Sequence, residues 1–160
     1  MIFPDIYGLR KKLLRADRVI YLFALLLLIC AFILEAHSFS AVAIAHSPQG
    51  EKEYFYASYF SLSLIQYGNS YPFACGVMSV LIIISSAICL SDHLRSMKIM
   101  YATLASNILT LLFALLPLFV FGRDCITSFG AGILSCLLAS VILQTSVLIY
   151  ESYARRKNYE

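Results

Sequence analysis

The stretch AHSFSAVAIAHSPQGEKEYFYASYFSLSLIQYGNSY, residues 36–71, separates the first apolar segment of the chain from three more. It is the only sizeable part of the 160 residues that is typical neither of a membrane helix nor of a charged flank. The chain is 61% hydrophobic and only 13% charged, which leaves too little polar surface for an ordinary soluble domain. The sequence therefore predicts an integral membrane protein whose apolar segments hold this loop at one face of a bilayer.

Four apolar segments flank the loop, and each is long enough to cross a bilayer. They cover about 19–34, 72–90, 99–121 and 126–150, and roughly 20 helical residues cross a hydrocarbon core of about 30 Å. We therefore predict an all-α integral membrane protein, with residues 1–160 forming a single domain that is a four-transmembrane-helix bundle. A secretory signal peptide is the alternative for the first segment, but its length and the three spans that follow favour an uncleaved span.

The basic residues predict the orientation of the chain. Ten of the 12 Lys and Arg residues lie before the first span, between the second and third, or after the fourth, and only Lys52 and Arg123 lie elsewhere. Lys and Arg accumulate on the cytoplasmic side, so we predict a multi-pass protein of the cell membrane with cytoplasmic N- and C-termini. The basic clusters are short and adjoin the spans, which suits anionic lipid and not nucleic acid. The predicted outer aromatic belt is Tyr54, Tyr56, Tyr59, Tyr67, Tyr71 and Phe73.

The outer loop 36–71 carries the pattern of a β-hairpin. Residues 39–46 are small or β-branched, and a Ser-Pro-Gln-Gly segment follows with Pro and Gly at their preferred positions in a β-turn. A segment rich in Tyr and Phe comes next. We therefore predict a small extracellular β-hairpin in the first outer loop, with His46 opposite Glu51. Residues 58–66 are also compatible with a helical turn on the membrane.

The fourth span has the clearest packing pattern, because small or polar residues recur at every fourth position. Such small-xxx-small faces let two helix backbones approach closely, which is a main source of attraction between helices in lipid. Polar side chains in the third span offer hydrogen-bonding partners across the interface. The predicted helix-packing residues are Ser128, Gly132, Cys136, Ser140, Asn107 and Thr110. A polar pathway or a dimer interface is the functional alternative to packing inside the bundle.

Ionisable residues are absent from the middle of every predicted span, and Glu35 lies at the outer mouth of the first. Intramembrane ionisable residues usually mark ion sites or proton relays, so this pattern argues against a pump or a proton-coupled transporter. No segment carries a catalytic, cofactor or metal-ligand motif, and we predict no enzyme activity, no cofactor and no metal site. Cys75 and Cys125 both approach the outer side and are the candidate pair for a disulfide. Two unrelated interfacial thiols are the alternative.

The layout resembles the claudin and peripheral-myelin-protein-like group of four-span proteins. The shared features are an inner N-terminus, a long outer first loop with β-structure, a short basic inner turn and a fourth span that opens with Ser128-Phe129-Gly130-Ala131-Gly132. The claudin loop signature is absent, since the chain has no Trp and no Cys between Cys30 and Cys75. The resemblance is therefore architectural, and it implies a role in cell adhesion or membrane organisation.

The sequence as a whole favours a non-enzymatic small multi-pass membrane protein. We expect an accessory subunit or scaffold that binds other membrane proteins, or itself, through its outer loop and small-residue helix faces. A claudin-like adhesion or membrane-organising protein is the second hypothesis, and a small channel or transporter component is the third. The expected partners are the lipid bilayer and membrane proteins, with no nucleic acid.

Overall fold

A computed structural model describes residues 6–62, 70–91, 96–122 and 126–156. The chain order is α1 (Ile6–Ala36), β1 (Ala41–His46), β2 (Lys52–Ala57), α2 (Tyr71–Leu90), α3 (Met97–Phe121) and α4 (Ser128–Arg156). Each helix contains a segment long and apolar enough to cross a membrane, and these segments are Asp17–Ala36, Tyr71–Leu90, Met97–Val120 and Ser128–Ala154. The structure therefore has the predicted four apolar helices and the two-stranded hairpin between the first two.

Local sequence sets the helix ends beside the connecting loops. Ser96 and Thr127 directly precede α3 and α4, and their side-chain oxygens accept the N–H groups of Ile99 at 3.3 Å and Gly130 at 2.9 Å. Hydroxyl caps of this kind satisfy backbone donors that have no partner inside the helix. At the other end of α3, Gly122 has a φ of 82°, a left-handed conformation that favours glycine.

The helices form a ring in which each contacts its neighbours in sequence and α4 closes against α1. The hairpin end of the bundle contains the last turns of α1 and α3 and the first turns of α2 and α4. Apolar side chains form two cores along the bundle. The core nearer the hairpin includes Ile82 and Leu137, and the core at the opposite end includes Met100 and Val147.

The hairpin turn forms at the predicted Ser-Pro-Gln-Gly segment, but the strand register differs by one residue. The N–H of Gly50 donates to the carbonyl of Ser47 at 2.8 Å, and Gly50 has a φ of 85°. The N–H of Ser47 then donates to the carbonyl of Glu51 at 2.8 Å, so His46 pairs with Lys52 and not with Glu51. A three-residue loop that ends in a left-handed glycine produces this register.

The hairpin packs on the bundle through β1 and directs β2 away from it. Ala41, Val42 and Ala43 are 6–8% exposed, although neighbouring residues of a strand point to opposite faces. In β2, residues 52–56 are all exposed and only Ala57 at the base is buried. The outer edge of β2 is therefore uncovered by the described part of the chain, and its residues 52–56 stay exposed although the centroid of the Tyr56 ring lies 5.7 Å from that of the Phe39 ring.

The buried face of α4 differs from the predicted every-fourth pattern. Ser128 is exposed, Gly132 and Cys136 are half-buried, and Ser140 is buried. Four residues turn an α-helix by about 400°, so every fourth position drifts by about 40° around the axis. Alternating steps of three and four residues stay on one face. The buried positions of α4 follow such steps: Gly130, Ile133, Leu137, Ser140, Gln144 and Val147. Leu148, next to the last of them, is buried as well.

Candidate functional site

Glu35, in the last turn of α1, is fully buried with an exposed fraction of 0%. Its Oε1 atom accepts the hydroxyl of Ser79 at 2.8 Å and the thiol of Cys75 at 3.5 Å. Its Oε2 atom has no hydrogen-bond partner among the described residues. The sequence places Glu35 at the outer mouth of the first span, but the structure encloses its carboxyl group between helices.

The Glu35 side chain lies deep in the bundle because the hairpin end of α1 lies lower than the hairpin ends of α2 and α3. Its partner Ser79 lies eight residues after the start of α2 at position 71. The Cys75 thiol also reaches the carbonyl of Thr110 at 3.7 Å, 11 residues before α3 ends at position 121. At 1.5 Å per residue, Ser79 lies about 12 Å along α2 from its hairpin-end terminus, and Thr110 lies about 16.5 Å along α3 from its own. If the four apolar helices cross a bilayer with a hydrocarbon core of about 30 Å, this depth would lie inside the core.

The backbone of the same residue anchors the base of the hairpin. The carbonyl of Glu35 accepts the hydroxyl of Ser40 at 3.0 Å and the N–H of Tyr59 at 3.0 Å. The Ser40 hydroxyl oxygen also accepts the Tyr59 N–H at 3.2 Å, and the Ser40 carbonyl accepts the hydroxyl of Thr127 at 3.1 Å. Since Thr127 caps α4, the hairpin base joins the end of α1 to the start of α4.

Tyr59 covers the Glu35 site from the hairpin side and is only 6% exposed. Burial raises the pKa of the Tyr59 phenol above its ordinary value, and the neighbouring Cys75 and Glu35 add to this effect. The phenol therefore stays protonated. Its burial also removes Tyr59 from the predicted aromatic belt. Of the other belt residues, Tyr67 lies outside the described residues, and the exposed ones are Tyr54, Tyr56, Tyr71 and Phe73.

A cavity of about 30 Å³ lies under the hairpin base, which is room for about two water molecules. Its polar lining comes from Ser40 and Tyr59, and its apolar lining includes Pro72 of α2 and Pro117 of α3. Ser40 and Tyr59 both hydrogen-bond to the backbone of Glu35. The cavity therefore adjoins the Glu35 site at the hairpin end of the bundle.

Phe60, just after Tyr59, packs its ring against α1 and α2. Its ring meets Phe32 edge-on, with ring centroids 5.7 Å apart. A Cβ atom at Gly76 would lie 2.6 Å from the Phe60 ring, so the ring occupies the space of a side chain. Sequence reasoning missed this contact, because a glycine inside an apolar span gives no sign of which loop residue lies over it.

A polar layer, composed of Ser86, Asn107, Ser140 and Gln144, crosses the bundle between the two apolar cores. Asn107 donates to Ser140 at 2.8 Å and to Gln144 at 3.2 Å, and Gln144 donates to Ser86 at 3.1 Å. All four are buried, and Asn107 Oδ1 has no partner in the described part of the chain. The predicted Asn107 and Ser140 thus meet, whereas the buried Thr110 donates its hydroxyl to a carbonyl of its own helix.

Two further sequence predictions concern the cysteines and metal binding. Cys75 is buried and carries a free thiol, and Cys125 lies outside the described residues, so their disulfide stays a prediction. Over residues 6–62, 70–91, 96–122 and 126–156, no group of three or more His, Cys, Asp or Glu side chains lies close enough to hold a metal ion.

No protein-family model matches the chain, and no characterised protein or solved structure matches it. The likeness to the claudin group therefore stays a resemblance of layout, and function is inferred from the hairpin and the Glu35 site.

Proposed function

We propose that this is a non-enzymatic membrane protein that binds another membrane protein through its hairpin and acts as an accessory subunit or scaffold. The observation that carries the proposal is the exposure of β2. Tyr54, Phe55 and Tyr56 are 45%, 45% and 55% exposed, although successive residues point to opposite faces of the strand. Aromatic side chains dominate the centres of many protein interfaces, and here both faces of an aromatic strand are available.

The open edge of β2 favours a protein partner over lipid. Among the described residues the sheet contains only β1 and β2, and β1 lies between β2 and the bundle. Backbone N–H and C=O groups along an open edge cannot enter hydrocarbon without partners. An extended segment of another protein can pair with such an edge and place its own side chains against the aromatic rings.

Site-specific photo-crosslinking in native membranes tests this function. A photoreactive residue replaces Phe55, and a matched control replaces Tyr153, which is 66% exposed near the opposite end of the bundle. We expect a discrete adduct between position 55 and one integral membrane protein, weakened by Tyr54→Ser with Tyr56→Ser and absent from position 153. Adducts with lipid alone, or only with a second copy of the chain, would contradict the accessory role.

A small channel or transporter component is the second candidate, and the depth of Glu35 favours it. The sequence disfavours transport because its predicted spans lack internal ionisable residues, but Glu35 is buried level with Ser79 of α2. Ionisable residues at such depth usually mark ion or proton pathways. Ion or proton flux in liposomes that is lost in the Glu35→Gln variant would support this function, and equal flux in both proteins and in empty liposomes would exclude it.

A further inference from the structure

We propose that Glu35 is an intramembrane proton-binding site that exchanges its proton with the side of the membrane on which the hairpin lies. In this proposal the protonated acid keeps the base of the hairpin docked on the bundle. The proposal is independent of whether β2 binds a partner, because it depends only on the surroundings of Glu35.

No positive charge faces Glu35 among the described residues. The titratable groups around it are Cys75 from α2 and Tyr59 from the segment after β2, and both are neutral when protonated. The basic residues of α3 and α4 are Lys98, Arg155 and Arg156, which belong to the ends of these helices opposite the hairpin. A buried carboxylate without a counter-charge is strongly disfavoured, whereas the neutral acid is not.

The observed hydrogen bonds fit the neutral acid. Oε1 accepts from Ser79 and Cys75, as the carbonyl oxygen of a carboxylic acid does. Oε2, which has no partner among the described residues, is then the hydroxyl oxygen that carries the proton. On release, the O–H bond of the acid breaks, the proton passes to water, and the carboxylate keeps the electron pair.

The water that receives the proton enters from the hairpin end. The cavity there is lined by Ser40 and Tyr59, the two residues that hydrogen-bond to the carbonyl of Glu35. An ionised Glu35 requires water or new hydrogen-bond donors at its carboxylate. In this proposal, the water or donors reach the carboxylate through the space that Ser40 and Tyr59 occupy in the docked hairpin. Loss of the proton therefore competes with the contacts that dock the hairpin, and a rise in pH on this side should loosen the hairpin base.

Infrared difference spectroscopy of the full chain in liposomes tests proton binding. In the native chain we expect the carbonyl stretch of a protonated carboxylic acid, and this band should disappear as the pH is raised. The band should be absent from the Glu35→Gln variant and unchanged in Glu53→Gln, the control at an exposed site. In the Ser79→Ala variant the same band should shift in frequency, because a donor to Oε1 is removed; this variant covers the case in which Glu35→Gln does not fold. The proposal would be overturned if Glu35 were ionised at every pH above the ordinary carboxyl pKa of about 4.3. It would also be overturned if the carboxylate of Glu35 formed only when sodium is present.

A distance measurement tests the coupling to the hairpin. Spin labels at two exposed positions, Glu53 of β2 and Phe119 of α3, report the position of the hairpin on the bundle. The distance distribution should broaden as the pH rises in the otherwise native chain and stay narrow with Glu35→Gln. Identical distributions in the two proteins at every pH would refute the coupling.

Discussion

Single side chains decide how the base of the hairpin fits on the bundle. Gly76 leaves space for the ring of Phe60, and Ser40 bonds both the Glu35 carbonyl and the Tyr59 N–H. None of these contacts was predicted from the sequence, because each depends on which loop residue lies over which turn of a helix. The sequence placed Glu35 only at the outer mouth of the first span, because its depth depends on where α1 ends relative to α2 and α3.

Substitution of Gly76 by Ala should displace the Phe60 ring and destabilise the bundle. The new Cβ atom would lie 2.6 Å from the ring, and overpacking of this kind costs about 1–3 kcal/mol. Gly130→Ala is the matched control, because its nearest neighbours would be at 3.4 Å or more. The free energy of unfolding in bicelles should fall for the first variant and not for the second. Equal losses would show that Phe60 does not occupy this space.

The polar layer should show coupling between Asn107 and Gln144. Their side chains meet at 3.2 Å, and hydrogen bonds between membrane helices contribute roughly 0.6 kcal/mol, with a maximum near 2 kcal/mol. A double-mutant cycle with Asn107→Val and Gln144→Leu should give a coupling free energy in this range. Strict additivity of the two single losses would mean that the bond does not contribute to stability.

At the scale of whole elements, continuous apolar runs and turn residues carry most of the predictive signal. The four helices follow the runs, and the hairpin turn follows the Ser-Pro-Gln-Gly segment. The register was wrong by one residue because the left-handed Gly50 lengthens one side of the turn. The buried positions of α4 follow alternating steps of three and four residues, because an every-fourth repeat does not stay on one side of a straight helix.

The contact between α1 and α4 supplies the test at this scale. A Cβ atom at Gly132 would lie 3.2 Å from Leu34 of α1, so Gly132→Leu should force the two helices apart. Ala131→Leu, on the adjacent and exposed face of α4, is the matched control and should be tolerated. Thermal unfolding in mild detergent should show a clear loss for Gly132→Leu only. Similar melting curves for both variants would place the α1 contact elsewhere on α4.

At the scale of the molecule, the bundle combines two apolar cores, a polar layer between them and a hairpin at one end. Composition predicts the class of protein, because only a few folds satisfy the backbone hydrogen bonds of such an apolar chain in lipid. The relative heights of the helices follow from packing and not from composition, so the buried carboxyl group emerged only from the structure. The distribution of Lys and Arg supports an outward-facing hairpin, and partner binding on the outer face requires that orientation.

Labelling of engineered cysteines in intact cells tests that orientation most directly. The two sites are Gln49 at the exposed hairpin turn and Lys157 at the C-terminus, with the chain that carries only its natural cysteines as the background control. Gln49 is preferable to Gly50, whose φ of 85° disfavours a side chain. A membrane-impermeant maleimide should label position 49 in intact cells and position 157 only after permeabilisation. Labelling of position 157 but not position 49 in intact cells would contradict an outer hairpin with cytoplasmic termini.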